Sequence, residues 1–267
     1  MTAFHIVDVF TDQPFQGNQL AVIPDARGLS EDRLQRIARE FNFSETTFVY
    51  PSDADDGAPK VRIFTPQSEV PFAGHPTIGT AVVLSALGLG NDLTLELGVG
   101  RIPVRVDGNR AEFATTAALT IGAAPDISHV AQCLGLTDAD IATTPHPPVA
   151  AGVGLDFVLV ALASDAALAA ATPDTAAFRK AQDIYRIALD FAVLAYRKEG
   201  STVRARMFAP LDGITEDPAT GSAAAALTAY LATLEGRDLS LQIDQGIEMG
   251  RPSRIETSAR LRDGKLS

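Results

Sequence analysis

With 267 residues, 46% of them apolar and 21% charged, the chain has the composition of a folded globular protein and length for one large domain or two of about 130 residues. Its net charge of −11 comes with no Lys/Arg block, which argues against nucleic acid as a partner, and apolar stretches such as Ala223–Leu234 fall short of the ~20 residues a membrane helix needs. Thr2–Pro14 carries Asp8 and Asp12 where a secretory signal would be cationic and then apolar, and the single Cys133 excludes an internal disulfide or a thiolate metal cluster, so a reducing cytoplasm fits.

A strand is predicted at Phe4–Phe10. Ser30 is then placed as an N-cap, with Glu31 and Asp32 in the first turn and Leu34, Ile37, Ala38 and Phe41 on one face of a three-turn helix. That helix delivers the chain to Ser44 and Glu45 and to a strand at Thr46–Tyr50, followed by strands at Val61–Phe64 and Arg101–Val106. Ala114–Asp126 is rich in Ala, Thr, Gly and Pro without a sustained period, and it is read as the boundary between an N-terminal half, 1–118, and a C-terminal half, 119–267. Beyond it, strands are predicted at Phe157–Ala161, Phe191–Tyr196, Val203–Phe208 and Leu239–Gln245, which makes the chain a mixture of α and β elements. Residues 163–175 read as Ala-rich, low-complexity sequence.

An internal repeat organises the whole chain. Val61-Arg62-Ile63-Phe64-Thr65-Pro66 leads to His75-Pro76-Thr77-Ile78-Gly79-Thr80-Ala81 and an apolar run; Ala205-Arg206-Met207-Phe208-Ala209-Pro210 leads to Asp217-Pro218-Ala219-Thr220-Gly221-Ser222-Ala223 and another. Each reads as strand, loop, helix, and two motifs recurring in the same order are far harder to match by chance than one tripeptide.

The chemistry follows from the helix starts. Proline suits a first helical position, and Gly79 and Gly221 permit close approach to the backbone. The N–H groups of such a turn, with the positive end of the helix dipole, form a site for a carboxylate, to which Thr80 and Ser222 add hydroxyls. The same residues also suit a purely structural helix start and tight crossing; the duplication favours the binding site. His75 and Asp217 occupy equivalent places, each just before its proline, giving a paired site with unlike titratable groups fit to take a proton from one atom and return it to another. Glu45 stands between a helix end and a strand, where a carboxylate can point into a cleft and act as a general base, or remain a solvated turn residue.

Together Asp8-Val9-Phe10-Thr11 with Gly17-Asn18, Ser44-Glu45-Thr46, Phe72-Ala73-Gly74-His75-Pro76-Thr77 and Asp217-Pro218-Ala219-Thr220-Gly221-Ser222 resemble the phenazine-biosynthesis isomerase family, in family order and over nearly the whole chain. The resemblance implies an α+β, diaminopimelate-epimerase-like fold: two pseudo-symmetric halves, each a curled β structure around a central helix, with the active site in the cleft between them. It also implies a cofactor-free homodimer acting on a small carboxylate-bearing molecule. The family's named activity isomerises trans-2,3-dihydro-3-hydroxyanthranilate by moving a proton. By that resemblance Glu45 shuttles the proton, His75 and Asp217 shape and protonate the site, and Ser44, Gly74, Gly221 and Ser222 hold the substrate. Gln19 departs from the proline that many relatives carry after Gly-Asn.

Two other functions compete. An epimerase using two opposed cysteines is excluded by the single Cys133, which reads as a small core residue, but racemisation by a different acid/base pair stays open, as does a non-catalytic carboxylate-binding protein. A metal enzyme or a dinucleotide enzyme lacks support: His5, His75, His129 and His146 are scattered without ligand spacing, and no G-x-G-x-x-G follows a strand.

Overall fold

The computed structural model describes residues 2–52, 57–115, 117–187, 190–262 and 265–266. The chain divides into two compact units, Met1–Thr115 and Thr116–Ser267.

The first unit runs β1 (His5–Val9), β2 (Asn18–Ile23), α1 (Glu31–Phe41), β3 (Glu45–Tyr50), β4 (Lys60–Phe64), β5 (Glu69–Val70), α2 (Gly74–Leu84), β6 (Asp92–Leu97), β7 (Gly100–Asp107) and β8 (Arg110–Phe113). Its sheet is ordered β1-β2-β3-β4-β6-β7-β8, with β5 paired to β4. Neighbours are antiparallel except β2–β3 and β4–β6, whose connections contain α1 and α2 respectively. A parallel pair needs such a crossover. Nearly every residue of α2 is buried, because the sheet curls around it from β1 and β2 to β7 and β8, and a helix so enclosed is apolar or small on all sides. Val9, Leu20, Val22, Val49, Ile63, Val83, Leu95 and Val104 fill the space between, each contributing roughly 1.5–3 kcal/mol by burial. On the other face α1 sets Leu34 and Ala38 against Ile23, Phe48 and Phe64. β2 is therefore apolar on both faces and shows no alternation, which is why the sequence pattern did not reveal it.

The second unit runs β9 (Thr120–Ile121), α3 (Ile127–Cys133), β10 (Val149–Gly152), β11 (Asp156–Ala161), α4 (Asp165–Ala170), α5 (Thr175–Tyr185), β12 (Val193–Glu199), β13 (Thr202–Ala209), β14 (Ile214–Asp217), α6 (Gly221–Glu235), β15 (Leu239–Gln245), β16 (Ser253–Ala259) and the short hairpin β17 (Leu261–Arg262) and β18 (Lys265–Leu266). Its large sheet is ordered β16-β15-β13-β12-β11-β10-β9, with β14 on β13, and its parallel pairs are β11–β12 and β13–β15. α6 packs on β10, β11, β15 and β16 as α2 does on its own sheet. The Ala-rich stretch is ordered: the Ser164 hydroxyl caps α4 by accepting from the Ala167 N–H, and the Asp174 carboxylate caps α5. Cys133 lies fully buried among Val130, Leu168 and Phe178, and burial, with the charge of Asp174, pushes its thiol up to about 12.

The duplication extends to strand register. Phe64 pairs with Thr46 across β4–β3, as Phe208 pairs with Val193 across β13–β12. Arg62 and Arg206 each lie over the ring of the phenylalanine two residues on, at 5.1 and 4.9 Å.

Candidate active site

In the first unit the candidate site residues Ser44, Glu45, Gly74 and His75 gather around the start of α2. His75 lies in its first turn and is 4% exposed. Its Nε2 is 3.3 Å from the backbone carbonyl of Gln19 on β2. A carbonyl only accepts, so Nε2 carries the proton, and a proline at position 19 would offer the same oxygen. His75 Nδ1 is 3.4 Å from Glu45 Oε2 at the first residue of β3. Burial pushes the ring down to about 3, against the hydrogen bond to Gln19, so the imidazole is neutral at pH 7. A neutral ring protonated on Nε2 presents a lone pair at Nδ1 and accepts a hydrogen bond from Glu45 only when that carboxyl is protonated. With the ring neutral, a single proton on the Glu45 carboxyl is what lets the two groups hydrogen-bond. Ser44 Oγ, next to Glu45, donates to Asn18 Oδ1 at 3.3 Å and ties the start of β3 to the start of β2.

Gly74 opens α2, so its N–H and that of His75 belong to the unbonded first turn. Gly79 and Thr80 do not. They lie a turn further along, where a Cβ on Gly79 would stand 2.6 Å from Leu20 Cδ2 and 2.8 Å from Val9 Cγ2, and where Thr80 Oγ1 is 2.9 Å from Thr47 Oγ1. Both serve the contact of helix with sheet, which corrects the expectation that they meet a ligand.

In the second unit the helix starts later. Asp217 ends β14, Pro218 precedes the helix by three residues, and α6 opens at Gly221, followed by Ser222. The expectation of proline at the first helical position is met in neither half: Pro76 is the third residue of α2, inside its first turn, and Pro218 lies outside α6. Asp217, Pro218, Ala219 and Thr220 form a buried turn, while Gly221 and Ser222 are partly open and present the first N–H groups of a 15-residue helix. The Thr220 hydroxyl donates to Asp217 Oδ2 at 2.5 Å, and the amide of Gln245, from the end of β15, meets Thr220 and the Asp217 carbonyl. Thr220 and Gln245 were not singled out from sequence; the one signal is a glutamine followed by glycine at the end of a strand of buried Leu and Ile.

Among the described residues no three His, Cys, Asp or Glu side chains gather as a metal site, and no helix is long and apolar enough to cross a membrane. The architecture, a curled sheet around a helix made twice, is the diaminopimelate-epimerase-like fold. It is shared with a hydroxyproline epimerase from Agrobacterium vitis, which matches with a TM-score of 0.60 and 14% identity over 98% of this chain and 85% of that one. A Bacillus anthracis phenazine biosynthesis protein of the PhzF family is nearer, with a TM-score of 0.86 and 26% identity over 98% of this chain and 92% of its own. The trans-2,3-dihydro-3-hydroxyanthranilate isomerase of Pseudomonas aeruginosa is 38% identical over 262 residues, 97% of this chain and 91% of that protein. The family model described as "Phenazine biosynthesis-like protein" matches residues 7–266, and the chain belongs to that family of isomerases.

Proposed function

We propose that the chain moves a proton between two atoms of a small carboxylate-bearing metabolite, with trans-2,3-dihydro-3-hydroxyanthranilate, the substrate named for its Pseudomonas relative, as the first candidate. The observation that carries this reading is the Glu45 carboxyl set 3.4 Å from the neutral His75 ring. Glu45 takes the proton from one carbon and returns it to another, so that a double bond shifts and the group ends as it began. On the family resemblance Ser44, Gly74, Gly221 and Ser222 are the residues that hold the substrate's polar groups, and Asp217 is the second titratable group. Proton transfer of this kind asks for no cofactor, because the base, its partner and the anion-binding amides are all protein groups. We also read the protein as a cytoplasmic homodimer, on the family resemblance and the buried, solitary Cys133.

The test is proton NMR in D2O with dihydro-3-hydroxyanthranilate and a panel of amino and hydroxy acids, wild type beside Glu45→Gln. Deuterium entering a substrate with wild type and not with Glu45→Gln is the expected result. Exchange that survives in the variant removes Glu45 from the chemistry, and exchange at the α-carbon of an amino acid would turn the reading to racemisation.

A further inference from the structure

The groups around Asp217 set a direction on the hydrogen bonds that Thr220 and Gln245 share with it. The Asp217 carbonyl accepts only and lies 2.8 Å from Gln245 Nε2, while the Thr220 N–H donates only and lies 3.3 Å from Gln245 Oε1. The Gln245 amide therefore has one possible orientation. Its Nε2 is also 3.1 Å from Thr220 Oγ1, where it again donates. The Thr220 oxygen is thus an acceptor towards Gln245, and its single proton points at Asp217 Oδ2, 2.5 Å away. Gln245 is 0% exposed, and Gly246 beside it stands at φ +75, with room for a Cβ denied by Pro218 O at 2.6 Å and Arg251 O at 2.5 Å. The end of β15 is pressed against the Asp217-Pro218 turn, and only glycine allows that approach. The charged groups next to Asp217 on β13 and β14 are matched to each other: Arg206 Nε and Nη2 each donate to Glu216 at 2.8 Å.

We propose that Gln245 is a positioning residue that acts through Thr220, aiming the threonine hydroxyl at Asp217 so that Oδ2 is held as an acceptor and the charged carboxylate is favoured. The proposal rests on the acid/base role of Asp217 given above, and its test has one arm that does not depend on that role. In that arm the Asp217 carboxyl is titrated by carbon NMR in wild type, Thr220→Val, Thr220→Ser, Gln245→Glu and Gln245→Met, with thermal melting to confirm folding. Loss of a donor to the carboxylate moves the midpoint to higher pH by about one pH unit in Thr220→Val. Thr220→Ser restores it, and whichever Gln245 variant folds shifts it in the same direction by less. Unchanged midpoints in Thr220→Val and the Gln245 variants overturn the proposal. The second arm measures turnover beside Asp217→Asn. Thr220→Val is expected to lower kcat roughly tenfold with KM little changed and to move the acid limb of its pH profile upward. If Asp217→Asn is inactive while Thr220→Val and the Gln245 variants keep the wild-type profile, the positioning role fails; if Asp217→Asn is fully active, the acid/base role fails and the titration alone decides the relay.

Discussion

The two halves share a frame and differ in what they hang on it. Both run two antiparallel strands, a parallel neighbour, an antiparallel strand carrying Arg-x-Phe, a short hairpin strand and a buried helix. Register makes Glu45 the counterpart of Ala192, because Thr46 and Val193 each face the repeat phenylalanine. Only the first half carries a carboxylate at that place. Its helix also begins at Gly74 and takes His75 into the first turn, whereas the second half holds Asp217 outside the helix and starts α6 at Gly221. The repeated arginines diverge as well. Arg206 is buried, chelates Glu216 and donates from Nη1 to the carbonyls of Leu168, Ala169 and Ala171 at the end of α4; Arg62 pairs with Glu69 and with the well-exposed Glu31. Duplication supplied a scaffold twice, and single-residue differences at equivalent positions supplied unlike chemistry.

The sharpest way to break that comparison is at Glu45. Glu45→Gln lowers the exchange rate by roughly 10²–10⁴, the usual reach of a general acid/base, and adding Ala192→Glu does not restore it, because position 192 has no histidine at its helix start; partial rescue by the second carboxylate would show the halves to be interchangeable. Next in size are the arginines. Arg206→Met leaves the partly buried Glu216 and the carbonyls of Leu168 and Ala171 without their cation and costs about 3 kcal/mol, whereas Arg62→Met, whose partners reach solvent, costs about 1 kcal/mol; urea unfolding of both variants measures the difference.

The histidines make a third contrast. His75 sits at about 3 in the folded protein and 6.5 is its ordinary value, so the unfolded chain binds the extra proton first. Stability from this group is complete above about pH 6.5 and is lost as pH falls towards about 3, by about 2–3 kcal/mol between pH 6.5 and 4.5. His146 works in the same direction in the other half. It is buried, and Nδ1 donates to the Pro147 carbonyl while Nε2 accepts from the Tyr196 hydroxyl, each at 2.7 Å; burial lowers its affinity for a proton. Urea midpoints at pH 7 and 4.5 should converge in His75→Asn relative to wild type, and equal slopes would remove His75 from the acid sensitivity.

The smallest effect separates packing from binding in α2. Gly79→Ala costs about 1–3 kcal/mol by forcing α2 off Leu20 and Val9, visible as a fall of several degrees in Tm, while Thr80→Val costs about 1 kcal/mol and leaves KM unchanged. A raised KM in Thr80→Val would return that hydroxyl to the ligand.

From sequence alone, the chain determined its duplication, the strands β1, β3, β4, β7, β11, β12, β13 and β15, the helix that follows Ser30 and the burial of Cys133, since period and repeats are written locally; Ser30 takes the cap position without a side-chain bond, and the alternating β6 and β16 were missed. Tertiary structure alone decided the rest. β2 was hidden because a strand covered on both faces loses its alternation. Where each repeated helix begins depended on contacts from distant strands: the Gln245 amide holds Asp217–Thr220 as a turn, although 25 residues separate Thr220 from Gln245. The proton on His75 was placed by a carbonyl 56 residues away. Gly79 and Gly221, alike in the motif, part company because one is pressed against Leu20 and the other opens a helix. Such roles are set by which backbone group or side chain arrives opposite a residue, and that is decided by strand register and helix packing, which no local pattern encodes.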